Sequence, residues 1–118
     1  MTDIELINII SYKTGREYEE TPNIISEKIG FSVDDNNNVI QLCMNNCNLM
    51  NETIPTELWQ LHYLERLYLN TNMIARFPED LLQLHNLIHL DLSGNQLRII
   101  TGKISELEYL ESLNLSGN

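Results

Sequence analysis

Several short stretches of this chain carry residue types that do chemistry elsewhere. Asp34-x-Asn36-x-Asn38 has the oxygen spacing that opens a calcium-binding loop, but Val39 stands where the sharp turn needs glycine and Asn45 where a bidentate Glu should close the site. Cys43 and Cys47 could contribute thiolates to zinc, yet their positions aim one at solvent and the other at the interior. His85 and His89 are four apart, but a turn and a strand separate them rather than one helical face. Glu79-Asp80 is a solvated acidic pair, and no Ser/His/Asp or Cys/His set with a supporting base is recognisable. Thr101-Gly102-Lys103-Ile104 lacks the first glycine and the final Ser/Thr of a phosphate-binding loop. The chain by itself is therefore expected to be no enzyme and to hold neither metal nor cofactor.

The elements that would position these residues follow a repeated pattern. Residues 87–97 read L-x-x-L-x-L-x-x-N-x-L, and the same spacing recurs at Leu64, Leu67, Leu69, Asn72 and Ile74. It recurs upstream at Val39, Leu42, Met44, Cys47 and Leu49, and downstream at Leu110, Leu113, Leu115 and Asn118. The unit starts at 39, 64, 87 and 110 lie 25, 23 and 23 residues apart. Positions four to six alternate apolar, polar, apolar, which makes a short strand with one buried face. Such strands return after equivalent crossovers, so they lie parallel, and no unit buries its own apolar face without a neighbour.

Between strands come Ile54-Pro55-x-x-Leu58-x-x-Leu61 and Phe77-Pro78-x-x-Leu81-x-x-Leu84, then Ile100-Thr101-x-x-Ile104-x-x-Leu107 without the proline. Apolar residues three apart behind a proline predict a short helical turn, with Trp59 and His62 on or beside the first. Unit one carries two extra residues near Met50 to Thr53, which should bulge outward.

These four in-phase copies resemble the leucine-rich repeat family. The resemblance implies an α/β solenoid: a curved parallel sheet inside, short helices on the convex side, and an N-terminal helical and hairpin cap. It also implies that position nine forms a side-chain ladder satisfying backbone groups, here Cys47, Asn72, Asn95 and Asn118. Partners bind the concave sheet in this family. The outward columns would be Gln41, Arg66, His89 and Ser112; Cys43, Tyr68, Asp91 and Asn114; and Asn45, Asn70, Ser93 and Ser116. Arg66, Tyr68, Asn70, His89, Asp91 and Asn114 are the candidate partner-binding residues, with cross-strand pairing the competing role for Arg66, Tyr68 and Asp91.

Residues 1–38 form a separate capping region before the four repeats of 39–118, the last of which stops at its ladder position. Thr2-Asp3-Ile4-Glu5 fits a capping box and predicts a helix over about 3–14, stopped by Gly15. Thr21-Pro22 opens a shorter helix to about Ile29. Phe31-Ser32-Val33 should pair antiparallel with Val39–Leu42 across the polar turn 34–38, closing the sheet's first edge. This layout resembles the N-terminal repeat modules of prokaryotic multidomain proteins, Roco proteins among them, where a GTPase region follows.

One domain of 118 residues with 42% hydrophobic content can build a core. Its net charge is −10: eight acids and three bases in residues 1–38, nine and four in 39–118. Such a surface disfavours nucleic acid and anionic membranes and suits a basic protein partner. No apolar run reaches the length of a membrane helix, and the acidic start lacks a basic leader region. Two cysteines, without the Cys-rich flanks of extracellular repeat proteins, point to the cytoplasm. The function expected is protein–protein interaction within a larger intracellular protein. The alternatives are the regulatory arm of a Roco-type GTPase and a structural fragment without a ligand. Position 118 leaves the last strand and the apolar face beneath it uncovered, which predicts either a longer array of which this is a truncated piece or self-association through that edge.

Overall fold

The computed structural model describes residues 1–22 and 28–118. The helix α1 spans Asp3–Thr14. Its first turn is held by a reciprocal box: the Glu5 N–H donates to Thr2 Oγ1 and the Thr2 N–H to Glu5 Oε2, both at 3.2 Å. Gly15, at φ +66°, ends it in the left-handed conformation. Leu6, Ile7 and Ile10 are the buried face of α1. Two polar contacts fix the helix to the repeats: Asp3 Oδ2 accepts from the Val39 N–H at 2.8 Å, and Lys13 Nζ meets Glu57 Oε1 at 2.8 Å.

The strands are β1 (Glu19–Glu20), β2 (Gly30–Val33), β3 (Val39–Cys43), β4 (Arg66–Tyr68), β5 (His89–Asp91) and β6 (Ser112–Asn114). Among the described residues they form one six-stranded sheet in chain order. The expected hairpin is present, with Phe31 opposite Leu42 and the register slipping between Ser32 and Val33. From β3 onward every pairing is parallel, joining Gln41 to Arg66, Arg66 to His89 and His89 to Ser112.

β2 is not the edge that the hairpin led us to expect. β1 lies outside it, parallel, with Glu19 opposite Gly30. Gly30 permits this approach, since a Cβ there would stand 2.7 Å from the Glu19 carbonyl oxygen. Two exposed glutamates thus form a very short outer strand, which discourages further pairing on that side. The shorter helix expected after Thr21-Pro22 falls largely on residues 23–27, outside the described residues.

Crossovers run through 3-10 turns at Thr56–Gln60, Glu79–Gln83 and Gly102–Glu106. Pro55 and Pro78 sit one residue earlier than the first helical position, as extended N-caps, and Thr101 takes that place in unit three. The proline fixes the entry angle and needs no N–H there. The insertion of unit one is a further 3-10 turn, Asn51–Thr53. It is anchored: Asn51 Oδ1 accepts from the Ala75 and Arg76 N–H groups at 3.0 Å, and its Nδ2 donates to the Arg76 carbonyl at 2.7 Å.

The core is a set of stacked columns. Leu42, Leu67 and Leu90 are wholly buried, as are Leu64 with Leu87, Leu58 with Leu81, and Leu61 with Leu84. α1 and Tyr18 join this core at its first end. In unit four, Leu110 and Leu115 are only half-buried and Leu113 is 37% exposed. No helix among the described residues is long and apolar enough to cross a membrane.

Candidate functional site

The parallel register carries the outward residues into rows across the sheet. One row is Gln41, Arg66, His89 and Ser112, and the next is Cys43, Tyr68, Asp91 and Asn114. The first row is open: Arg66 and Ser112 are exposed, Gln41 and His89 half-buried. The second row is more enclosed than its outward position implied. Cys43 is fully buried and Asp91 is 7% exposed, with Tyr68 close behind at 9%. Flanking strands account for this. Cys43 is bracketed by Gly30 of β2 and Tyr68 of β4, while the Tyr68 ring rests on His89, centroids 5.0 Å apart and tilted by 43°. Only Asn114, on the outermost strand, is exposed in this row.

Asp91 has a structural task. Its Oδ1 accepts from the Ser93 N–H at 2.9 Å and from Ser93 Oγ at 2.6 Å, and its Oδ2 accepts from Asn70 Nδ2 at 3.2 Å. Asn114 repeats the local half of this with Ser116 at 3.1 and 2.8 Å. Asn70 is tied further, its N–H donating to Asn45 Oδ1 at 2.9 Å. Of the six candidate contact residues, Asp91, Asn70 and Asn114 therefore hold the chain's exit from the strand. Arg66, Tyr68 and His89 remain together at the centre of the face. Burial first, and then the nearby Arg66 charge, hold the His89 imidazole below its ordinary pKa, with Asp91 opposing them.

Beneath the turn lie the ladder residues. Asn72 Oδ1 accepts from the Cys47 and Leu49 N–H groups at 2.9 and 3.0 Å, and its Nδ2 donates to the carbonyls of Met44, Leu69 and Asn70. Asn95 does the same one unit on, between the Ile74 N–H and the carbonyls of Leu69, Leu92 and Ser93. Asn118 Oδ1 accepts from the Leu97 N–H at 2.9 Å. Cys47 fills the first rung more weakly, its thiol reaching the Asn45 carbonyl at 3.5 Å and the Tyr18 hydroxyl at 3.7 Å.

The remaining candidates are accounted for locally. Asp34 caps its own turn, its carboxylate accepting from the Asn36 and Asn38 N–H groups and from Asn38 Nδ2. The Asn38 N–H does most to hold that carboxyl below its usual pKa. Cys43 and Cys47 are free thiols, both raised in pKa by burial. Among the described residues, no three His, Cys, Asp or Glu side chains converge as a metal site. A depression of about 600 Å³ beside Phe77, Arg98 and Ile99 was not anticipated, although Arg76, Arg98 and the 80%-exposed Ile99 all follow a ladder position closely in sequence.

A leucine rich repeat family model matches residues 62–118. No curated protein matches the chain. Among solved structures, the leucine-rich repeat ectodomain of the receptor kinase SOBIR1 from Arabidopsis thaliana is similar at a TM-score of 0.65 and 23% identity, covering 98% of this chain. The BIR3–SERK2 complex, also from Arabidopsis thaliana, is similar at a TM-score of 0.68 and 26% identity over 98% of this chain. This chain spans 66% of the length of each. The fold is that of a leucine-rich repeat solenoid with an N-terminal helix, and residues 62–118 are similar to the leucine rich repeat family.

Proposed function

We propose that this chain is a protein-interaction module that holds its partner on the concave sheet. The observation that carries the reading is the centre of that sheet. Arg66, Tyr68 and His89 sit together on adjacent parallel strands, with the Tyr68 and His89 rings in contact. Arg and Tyr lead the residue types that dominate interface energies, and a sheet fixes them before binding. One of the similar structures is itself a complex of two proteins, which accords with an interaction role. Nothing in the site indicates catalysis.

The test is a pull-down from the native host with the intact chain, followed by binding measurements with variants. Arg66→Ala combined with Tyr68→Ala should abolish binding while the protein still melts cooperatively. Binding lost through Glu79→Ala and Asp80→Ala instead would move the partner to the convex side.

The finer reading is a cytoplasmic module of a larger protein, with a surface whose acidity suits a basic partner. The two free, buried thiols support a reducing compartment. The regulatory arm of a Roco-type GTPase rests on the cap's resemblance alone. The coding sequence beyond Asn118 tests it, since a phosphate-binding loop there would favour the arm and repeats closed by a cap would sink it. We also infer that the module self-associates through β6, whose neighbourhood exposes Leu113 and Ile99. Sedimentation that does not change with concentration would remove that inference.

A further inference from the structure

The partner face has an unbalanced charge at its centre. The row formed by Gln41, Arg66, His89 and Ser112 contains no carboxylate. The neighbouring row contains one, Asp91, and it is 7% exposed with both oxygens engaged by Ser93 and Asn70. Arg66 is exposed and enters no ion pair among the described residues, although Glu65 precedes it in the chain. In a chain of net charge −10, with nine acids in residues 39–118, the face therefore offers solvent a cation and no free acid in these two rows. Beside that cation the half-buried His89 ring leans on the largely enclosed Tyr68 ring. The guanidinium is a planar fork of donors matched to a carboxylate.

We propose, resting on the concave sheet being the partner face, that Arg66 is a specificity contact for an Asp or Glu side chain of the partner, whose neighbouring residue lies over Tyr68 and His89. Asp91 cannot serve as a matching site for a lysine without giving up the contacts that hold the strand exit. Its hydrogen bonds to Ser93 and Asn70 leave its charge satisfied inside the protein. The acid read by Arg66 is local. The field of the whole chain still repels a broadly acidic partner, so the segment that carries this carboxylate is otherwise neutral or basic.

The probe is a random-peptide library displayed on phage and panned against the whole chain, with enriched sequences then made as synthetic peptides. They should share an Asp or Glu at one fixed position. Replacing that acid by its amide should weaken binding about tenfold or more. Arg66→Gln should cost as much, and the two changes together no more than either alone. Arg66 is exposed, so Arg66→Gln should melt like the parent. Binders that lack a shared acid, or that are sensitive to Tyr68→Ala and His89→Ala but not to Arg66→Gln, would overturn the carboxylate contact and leave the face standing. Binders indifferent to all three residues, or a library that yields none, would remove the face and the contact with it.

Discussion

At position eight of every unit the backbone turns left-handed: Asn46 at φ 54°, Thr71 at 55°, Gly94 at 64° and Gly117 at 69°. Glycine and asparagine tolerate this conformation, whereas a β-branched threonine is strained in it. A Cβ at Gly94 would also stand 3.3 Å from the Thr71 nitrogen, so these turns stack closely. Thr71→Asn should therefore stabilise the protein by about 1 kcal/mol, while Gly94→Ala should destabilise it. The rung beside it behaves oppositely. Asn72→Ala strands the Cys47 and Leu49 N–H groups and should cost about 1–3 kcal/mol, more than Asn118→Ala at an exposed rung. Denaturant melts check both; a stabilised Asn72→Ala, or a weakened Thr71→Asn, would contradict this account of the turn. The repeat of position nine stands in the sequence, and its reading as a ladder came from the family resemblance. The left-handed turn was not read from the sequence, where Thr71 interrupts the column of Asn46, Gly94 and Gly117. The task of Asp91 was harder to see. It depends on Asn70 from the preceding unit as well as on Ser93, and only the pairing of Asp91-Leu92-Ser93 with Asn114-Leu115-Ser116 hinted at it.

Among the elements, α1 was the easiest to read, since its capping box and Gly15 bound it at both ends and its apolar residues cluster. β1 was not readable, because Glu19-Glu20 has no apolar pattern and its pairing is set by the glycine at position 30. What α1 does for the first repeat is chemical as well as apolar. Its last residue, Thr14, shares a hydrogen bond of 3.2 Å with the Tyr18 hydroxyl, which also contacts Cys47 Sγ. Burial pushes the Tyr18 hydroxyl well above the ordinary tyrosine pKa, and burial raises the Cys43 and Cys47 thiols as well. Each group holds its proton more tightly folded than unfolded. Their contribution is intact below the unfolded values, near 8.5 for thiols and 10 for tyrosine, and is lost as pH rises beyond them. The melting temperature should accordingly fall between about pH 8 and about pH 11. Tyr18→Phe should start lower at neutral pH, for want of its hydrogen bonds, and then fall less steeply. An equally steep fall in Tyr18→Phe would show that the alkaline loss arises elsewhere.

For the molecule as a whole, the columns decide where stability resides. Each repeat touches only its neighbours, so a residue's contribution depends on being covered from both sides. Leu42, Leu67 and Leu90 share one column and are fully buried, the first on the hairpin strand β3 between Phe31 and Leu67 and the others between repeats. Leu113 continues the column on β6 and is 37% exposed, with a parallel neighbour on one side only among the described residues. Equal chemistry should therefore give unequal costs along one register. Leu67→Ala leaves a cavity between two packed repeats and should cost about 2–5 kcal/mol. Leu113→Ala removes a side chain that water already reaches and should cost under about 1 kcal/mol. Hydrogen exchange should follow the same order. Amides that bond toward β6, such as Leu92 to the Asn114 carbonyl, should open more readily than Met44, whose N–H donates to the Tyr68 carbonyl. Self-association through β6 would change this gradient in a defined way, since covering Leu113 raises both its alanine cost and the protection of Leu92 as concentration rises. A flat profile at low concentration, with Leu113→Ala as costly as Leu67→Ala, would mean that the repeats stand or fall together rather than by neighbour contact.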